Sequence, residues 1–224
     1  MWDEIDDYVA DIQSIRSIDQ LAFTKPVTFF CGENGSGKST LLEALAIKNG
    51  LNPEGGTRNY NFSTYDSYSD LHNHMRLWRS RKPDWMYFLR AESFYNVATK
   101  EMEYSGVFSE RYHDQSHGQS FFSVLMKQTN KNGLYLLDEP EAALSCQNQL
   151  ALLYLIQSCV KQNCQFIIAT HSPILLGFPG AQILSFDEGK VEEVDYKLTS
   201  SYQTMKLFLD RYDYFVKDIK ENEI

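Results

Sequence analysis

The sequence has 224 residues, of which 43% are hydrophobic and 14% aromatic, and its formal net charge is -9. This composition excludes a disordered or fibrous chain and predicts one globular domain with its own core. The acidic balance argues against broad, nonspecific attachment to nucleic acid or to an anionic membrane.

The chain shows no sign of a membrane span or a secretory signal. Its longest apolar run, Leu150 to Ile156, is far shorter than the roughly 20 residues that cross a bilayer. The first residues, "MWDEIDDY", are acidic and unlike a signal peptide. We therefore expect a cytoplasmic protein.

The spacing of the cysteines predicts thiols rather than disulfides, which fits the expected cytoplasmic location. The four cysteines form neither a CxxC pair nor a regular framework, which predicts reduced, mostly buried thiols and no structural metal site. They are Cys31, Cys146, Cys159 and Cys164.

Strand-like and helix-like segments alternate along the chain. The apolar run "PVTFFC" predicts a strand, and "SGKSTLLEALAIKNG" predicts the helix that follows it. Further strands are predicted in "WMYFLR", "GLYLLDE" and "CQFIIATH", with a helix in "QNQLALLYLIQSCVKQ". The alternation predicts an α/β fold with a mostly parallel sheet, whose strands end in polar residues along one edge.

The remaining segments complete one predicted domain over residues 1–224. Residues 51–68 are rich in Asn, Gly, Ser and Tyr and predict loops. A small lobe or connector is expected at about residues 91–125. A hairpin is expected around residues 187–190, and a helical tail is expected from Ser200 onward.

One basic segment, "MRLWRSRKPDW", stands out in the acidic chain. A polynucleotide or partner contact is one interpretation, because aromatic rings stack on bases and cations meet phosphates. The interpretation favoured by the sequence is a solvated helix face that ends at Pro83. The residues concerned are Arg76, Trp78, Arg79, Arg81, Lys82 and Trp85.

A glycine-rich stretch, "GENGSGKST", follows the first predicted strand and opens the first predicted helix. It matches the pattern GxxxxGK[ST], in which glycines turn the backbone so that its N–H groups and a helix N-terminus face an anion. Lys38 would reach the β- and γ-phosphates, and the Ser39 hydroxyl would bind Mg2+. The stretch predicts a nucleoside triphosphate site formed by Gly32, Glu33, Asn34, Gly35, Ser36, Gly37, Lys38, Ser39 and Thr40.

Two later strands end in residues that suit the same ligand. The strand in "LYLLDEPEAALS" ends at Asp138, which can hold the metal, and at Glu139, which can orient or deprotonate water. Two adjacent carboxylates after an apolar strand are costly to bury without a cation. The strand in "FIIATHSP" leads to His171, which can reach a γ-phosphate. Glu139, His171 and Lys38 are the predicted catalytic residues.

The motifs "GENGSGKST", "LLDEPEAALS" and "THS", in this order, resemble those of the ATP-binding-cassette (ABC) ATPases. The segments "FLRAESF", "SHGQSFF" and "IIATHSPILL" are similar to segments of the short, soluble ATPases of that superfamily that are described as AAA ATPases. The resemblance spans roughly residues 27–186. It implies a P-loop NTPase fold with an ABC-type sheet, and ATP and Mg2+ as ligands.

The resemblance also implies a second subunit. In this superfamily the segment "SHGQS" completes the ATP site of the partner, which assigns that role to Ser116, Gly118 and Gln119. A serine at a helix N-terminus suits an anion, although it also serves as a plain N-cap. His117 replaces the usual glycine of the pattern and Gln115 the usual leucine.

Two further loops depart from the family pattern. The D-loop corresponds to residues 142–145, where Ser145 replaces the usual aspartate. The Q-loop position after "WMYFL" holds Arg90, Ala91 and Glu92. Glu92 is a weaker candidate for the metal's water, and Arg90 is expected either to meet phosphate or to stabilise the loop.

These observations favour an Mg2+-dependent ATPase that forms an ATP-dependent head-to-tail homodimer and drives a partner protein. Three alternatives stay open: the energy subunit of a membrane transporter, the head of a DNA-repair or phage-defence complex, and a binding module in which ATP is only a switch. Nucleic acid is a partner in the second alternative and is not favoured. The short interval between residues 92 and 116 argues against the first two.

Overall fold

The computed structural model describes residues 8–57, 68–91, 125–129 and 131–221. Within them, six strands form one sheet in the order β2-β3-β4-β1-β5-β6. The first five strands are parallel, and β6 pairs antiparallel with β5. The strands are β1 (Val27–Cys31), β2 (Trp85–Arg90), β3 (Gly133–Asp138), β4 (Gln165–Ala169), β5 (Gln182–Ser185) and β6 (Glu192–Glu193).

Helices cover both faces of this sheet. They are α1 (Gln13–Arg16), α2 (Lys38–Lys48), α3 (Leu71–His74), α4 (Cys146–Val160), α5 (Pro173–Leu176), α6 (Ser200–Asp210) and α7 (Tyr212–Glu221). Short 3-10 turns lie at Tyr8–Asp11, Pro140–Ala143, Asp187–Gly189 and Tyr196–Leu198. Residues 125–128 are also helical.

The core has two layers because successive side chains of a strand point to opposite faces. Phe29 of β1 belongs to the layer that contains Leu152 and Ile156 of α4. Its neighbour Phe30 belongs to the layer that contains Leu42 of α2. The strands are therefore buried on both sides, which explains their continuous apolar sequences.

The predicted α/β fold with a mostly parallel sheet is confirmed. The strand predicted in "WMYFLR" occupies Trp85–Arg90, and the hairpin predicted at residues 187–190 joins β5 to β6. The predicted helical tail forms α6 and α7. Of the lobe expected at about residues 91–125, residues 92–124 lie outside the described part of the chain.

The helix interpretation of the basic segment is wrong. The helix α3 ends at His74, and residues 75–84 follow without helical structure. Met75 and Leu77 pack on the core, whereas Arg76 and Trp78 between and beyond them are exposed. Side chains that alternate between core and solvent in this way are typical of extended backbone, in which every second residue points to the same side.

The cysteine prediction is confirmed in that all four thiols are unpaired and three are buried. Burial raises the pKa of the Cys31 thiol to about 11, and that of Cys159 also to about 11. Cys146 is exposed at the start of α4. Among the described helices, none combines the length and the apolar composition needed to cross a bilayer.

Candidate functional site

The glycine loop connects the carboxyl end of β1 to the first turn of α2. Glu33, Asn34 and Gly35 form its exposed tip, while Lys38 is only 4% exposed. The Lys38 ammonium donates hydrogen bonds to the carbonyl oxygens of Gly32 at 2.9 Å and Glu33 at 2.7 Å. The carbonyl oxygens of the loop thus surround the Lys38 ammonium. The loop lies between a strand and a helix, as the motif predicts.

Gly37 has to be a glycine at this position. Its φ of +96° is left-handed, and a Cβ there would lie 2.8 Å from Ile12 Cγ2 and 2.9 Å from Ile15 Cγ1. The Ser14 hydroxyl donates a hydrogen bond to the Ser36 carbonyl. The N-terminal segment that contains α1 therefore packs against the glycine loop. The sequence motifs did not predict this contact.

The electrostatic environment of Lys38 suits an anionic ligand. Burial lowers the pKa of its ammonium, because the charged form loses its hydration. The charges of Glu139, Asp187, Cys31 and Asp138 act in the opposite direction. Glu139 and Asp138 are thus among the groups whose negative charge favours the ammonium form of Lys38.

Asp138 lies at the carboxyl end of β3 and joins three segments. Its Oδ1 accepts a hydrogen bond of 2.8 Å from Ser39 Oγ. Its Oδ2 lies 3.4 Å from Arg90 Nε, and Arg90 Nη1 lies 2.6 Å from Glu43 Oε2 on α2. Arg90, one of the two residues considered at the Q-loop position, thus joins the end of β2 to α2 and to the end of β3 by pairing with two carboxylates.

Glu139 directly follows β3 and has a left-handed backbone, with φ of +48° and ψ of +50°. Its N–H donates to the Ala169 carbonyl at 2.9 Å, which fixes it beside the end of β4. The side chain is 43% exposed. A left-handed glutamate is unusual, and such backbone strain is concentrated at functional sites.

His171 lies two residues beyond β4 and faces Glu139. Its Nε2 is 3.8 Å from Glu139 Oε1, and within the described residues it makes no hydrogen bond. The imidazole side chain is 38% exposed. The backbone N–H of His171 donates to Glu141 Oε1 at 2.5 Å, so Glu141 fixes this loop.

Several residues of the site had not been predicted. Glu141 had a usable signal, since it stands in the same "DEPEAALS" stretch as the two predicted carboxylates. Glu43 and Asp187 had none, because only the folded chain brings them to the site. Asp187 Oδ1 accepts a hydrogen bond of 3.0 Å from the Glu33 N–H, and its Oδ2 accepts one of 2.9 Å from Ser185 Oγ.

Gln149 is a further unpredicted residue, buried on α4. Its Oε1 accepts a hydrogen bond of 2.6 Å from Ser172 Oγ, and its Nε2 donates one of 3.0 Å to the Leu144 carbonyl. Ser172 adjoins His171, and Leu144 belongs to the segment aligned with the D-loop. One buried amide therefore connects these two loops.

The structure brings most of the predicted site residues to one edge of the sheet, the edge formed by the carboxyl ends of β1, β3 and β4. These are the glycine loop with Lys38 and Ser39, together with Asp138, Glu139 and His171. Glu92, Ser116, Gly118 and Gln119 lie outside the described residues, and their roles stay predictions.

Two stretches of the chain match family models of known proteins. Residues 10–73 match a family model described as "AAA domain", and residues 117–176 match one described as "AAA ATPase domain". The chain is 27% identical to an "Uncharacterized ABC transporter ATP-binding protein" of Haemophilus influenzae, over 76% of this chain and 74% of that protein.

Solved structures that the chain resembles include an SMC head domain and an ABC transporter cassette. The SMC head domain from Thermotoga maritima covers 80% of this chain and 94% of its own, with 15% identity and a TM-score of 0.45. The dimeric bacterial ABC transporter cassette MJ0796 covers 79% of this chain and 88% of its own, with 18% identity and a TM-score of 0.41.

Proposed function

We propose that the chain is a P-loop ATPase of the ABC superfamily and that it hydrolyses Mg2+-bound ATP in a site that two copies of the chain close together. The observation that carries this proposal is that the glycine loop meets the carboxyl end of β3, where Ser39, next to Lys38, bonds to Asp138 and Glu139 directly follows. A buried cation, a metal-binding carboxylate and a second carboxylate near water are the parts that phosphoryl transfer to water needs.

The donor set of the site fits Mg2+. This ion prefers oxygen ligands and is bound by a few protein groups together with phosphate oxygens and water. The Ser39 hydroxyl and the Asp138 carboxylate, with oxygens 2.8 Å apart, are two hard donors of this kind. When bound, Mg2+ would neutralise charge on the phosphates during transfer.

The roles of the protein groups follow from their chemistry. The N–H groups of residues 33–40 and the Lys38 ammonium bind the phosphates. The Glu139 carboxylate accepts a proton from a water whose oxygen attacks the γ-phosphorus, while the bond to the ADP oxygen breaks. Glu139 is suited to this step because its side chain is partly exposed rather than engaged in an ion pair with Arg90, as Asp138 is.

His171 senses the γ-phosphate in this proposal. Its Nε2 is buried without a hydrogen bond among the described residues and lies 3.8 Å from Glu139 Oε1. Glu141 holds the main chain of the His171 loop, so that the ring has a fixed base from which to reach the phosphate. Phosphate release would then free this loop again.

A second subunit would close the site. Glu139 and His171 are partly exposed, and Ala142 and Ser145 on the adjoining segment are exposed too. Covering this side excludes bulk water from the reaction, which strengthens the electrostatic interactions within the site. In the head-to-tail arrangement Ser116, Gly118 and Gln119 of one copy would contact the ATP held by Lys38 of the other.

The Glu139→Gln variant tests both parts of the proposal. It keeps the shape of the side chain and removes the base, so ATP turnover should fall by about 100-fold or more. Light scattering should then show a stable dimer in ATP and a monomer without it. Glu192→Gln, an exposed glutamate on β6, is the matched control and should behave as the unmodified chain.

The two outcomes are separable. Undiminished turnover in Glu139→Gln would exclude Glu139 as the base. A monomer in ATP at high protein concentration would exclude the two-subunit site while leaving the hydrolysis assignment intact. Lys38→Ala should bind ATP weakly and should not dimerise in either case.

A second candidate is the energy subunit of a membrane transporter. It is favoured by the name of the Haemophilus influenzae relative, an ABC transporter ATP-binding protein. Expression with the genes that neighbour the chain's own, followed by detergent extraction, tests it. Co-purification with an integral membrane protein, together with ATP turnover that responds to that protein, would identify the partner as a membrane transporter.

A further inference from the structure

The edge of the sheet opposite the nucleotide site carries a concentration of positive charge. Residues immediately before β2, β3 and β4 meet there, because Trp85 pairs with Gly133 and Leu134 pairs with Gln165. The C-terminal end of α2 reaches the same edge, since Arg79 Nη2 donates a hydrogen bond of 2.6 Å to Asn49 Oδ1. We call this surface the basic edge; its cations are Lys48, Arg76, Arg79, Arg81, Lys82, Lys131 and Lys161.

Contacts between the segments hold these cations together. Arg81 Nη2 donates a hydrogen bond of 3.1 Å to the carbonyl of Asn163, which lies two residues after Lys161 in the sequence. Asn132, next to Lys131, donates from its side chain to Asp84 Oδ2 at 2.7 Å and from its backbone to the Gln162 carbonyl at 3.0 Å. Segments distant in sequence are therefore joined into one surface.

The charge of this edge is unbalanced. Across residues 48–49, 75–84, 131–132 and 161–164 the seven cations face a single carboxylate, Asp84. Asp84 already accepts a hydrogen bond from Asn132. Within the described part of the chain, Arg76, Lys82 and Lys161 are exposed and make no ion pair or hydrogen bond through their side chains. In a chain of net charge -9, such segregation favours a polyanionic partner.

Trp78 adds a second, independent feature. Its side chain is 92% exposed, although it lies between the partly buried Leu77 and the anchored Arg79. Both neighbours fix the backbone, so the indole is held outward on an ordered segment. An exposed indole flanked by cations offers a stacking surface next to phosphate-binding groups.

We propose that the basic edge binds single-stranded nucleic acid, with a base stacked on Trp78 and phosphates on the surrounding cations. Single strands fit better than a duplex because their bases are free to stack on an aromatic side chain. They fit better than an anionic membrane, because interfacial binding requires several apolar side chains. Among the described residues of the basic edge, Trp78 is the one large apolar side chain that is exposed. The inference goes beyond the proposed ATP hydrolysis and uses a different surface.

The test is fluorescence anisotropy of a fluorescein-labelled 20-nucleotide oligothymidylate with the full chain, at 50 and 200 mM NaCl. Trp78→Ala should weaken binding about tenfold, and Trp78→Phe should restore most of it, because stacking needs an aromatic face. The double variant Arg76→Glu, Lys82→Glu should lower the salt slope of log K by about 1.4, at roughly 0.7 per lost phosphate contact.

Two controls separate this surface from other effects. Lys197→Glu, Lys220→Glu has the same charge change on exposed residues of the C-terminal region and should bind like the unmodified chain. Lys38→Ala should bind the oligonucleotide normally, which excludes the glycine loop as its site. ATP turnover should be unchanged in the Trp78 variants, so failure here is distinct from failure of the proposed hydrolysis.

The proposal is overturned if the oligonucleotide does not bind at 50 mM NaCl, or if the Trp78 and double-charge variants bind as the matched control does. Tighter binding to polyglutamate, or to vesicles of equal phosphatidylserine and phosphatidylcholine, would also overturn it. The first result would indicate an acidic protein as the partner and the second a membrane surface.

Discussion

Ser39 Oγ donates a hydrogen bond of 2.8 Å to Asp138 Oδ1, although the two residues are 99 positions apart in the sequence. Ser39 is the second residue of α2, and Asp138 is the last residue of β3. In the sheet, β4 lies between β3 and β1, the strand that leads into the glycine loop. This bond therefore connects the helix that follows the glycine loop to the end of β3, which is directly followed by Glu139.

The first prediction concerns the ion pairs that hold Asp138 from its other side. Arg90→Ala removes the pairs of Arg90 with Asp138 and with Glu43, and it should lower the free energy of unfolding by about 1–3 kcal/mol because charged groups lose hydrogen bonds in a partly buried site. Urea unfolding measures the change. Arg76→Ala, which removes an exposed arginine outside these pairs, should change it by less than about 0.5 kcal/mol.

A double-mutant cycle identifies the pair itself. If Arg90 acts through Glu43, then Arg90→Ala combined with Glu43→Ala should cost less than the two single changes together, with a coupling of about 0.5–3 kcal/mol. Strict additivity would mean that the 2.6 Å contact contributes nothing measurable. Arg90→Lys should restore only part of the stability, because an ammonium cannot bridge both carboxylates with the geometry of a guanidinium.

The parts of this molecule that could be read from sequence are those with a local signal. Strand β2 was predicted from the apolar run "WMYFLR", and the glycine loop from its spacing between a strand and a helix. Arg90, in contrast, left two roles open, because its partners Glu43 and Asp138 lie 47 and 48 positions away. Asp138 approaches Arg90 through the parallel pairing of β2 with β3, and Glu43 approaches it from α2. No local pattern encodes either approach.

The same limit explains the error in the basic segment. Spaced arginines between residues 76 and 82 resemble a solvated helix face when read locally. The decisive interactions are tertiary: Met75 and Leu77 pack on the core, and Arg79 bonds to Asn49, 30 positions away. Tertiary contacts of this kind override weak helical propensity.

A second prediction concerns the amide that joins the His171 loop to residues 142–145. Gln149→Leu fills a similar volume but removes the acceptor of Ser172 and the donor to Leu144. Leaving such buried groups unpaired should cost about 1–3 kcal/mol of stability. Because Ser172 adjoins His171, kcat for ATP should also fall, with less effect on KM.

The control for this prediction lies on the same helix. Gln147→Leu has the same chemical change at an exposed position of α4 and should leave both stability and kcat close to those of the unmodified chain. A Gln149→Leu protein that is destabilised but retains its full kcat would give Gln149 a role in packing alone. Measurements at a temperature well below both melting transitions keep the two effects apart.

A third prediction concerns pH. Burial lowers the pKa of Lys38 below its ordinary value of 10.5, so the folded chain releases this proton at a lower pH than the unfolded chain does. Between the two pKa values the unfolded chain binds more protons, and the contribution of this group to stability rises with pH. ATP affinity should change in the opposite direction, because phosphate binding favours the ammonium form.

Calorimetric titration of ATP at several pH values up to 10.5 measures this effect. The dissociation constant should increase through the alkaline range, and binding should be accompanied by proton uptake there, detected as a dependence of the heat on the ionisation enthalpy of the buffer. Lys38→Arg, whose guanidinium stays charged, should lack the alkaline weakening. An ATP affinity that is constant up to pH 10.5 would contradict the lowered pKa of Lys38.

The last prediction uses Cys146 as a reporter of subunit contact. It is the one exposed cysteine of the four, all of which the structure describes, and it directly follows Ser145 of the segment aligned with the D-loop. A maleimide should therefore modify one thiol of the native chain rapidly and three only after unfolding. Cys146→Ser should abolish the rapid phase and leave the slow one.

ATP should then protect this thiol in the Glu139→Gln variant, because the proposed dimer covers the surface beside residues 142–145. Protection should appear only at protein concentrations where light scattering shows a dimer, and it should be absent in the Lys38→Ala background. Protection that is independent of protein concentration would indicate a change within one subunit instead. A labelling rate unchanged by ATP, in a sample that light scattering shows to be dimeric, would put the contact on a different face of the molecule.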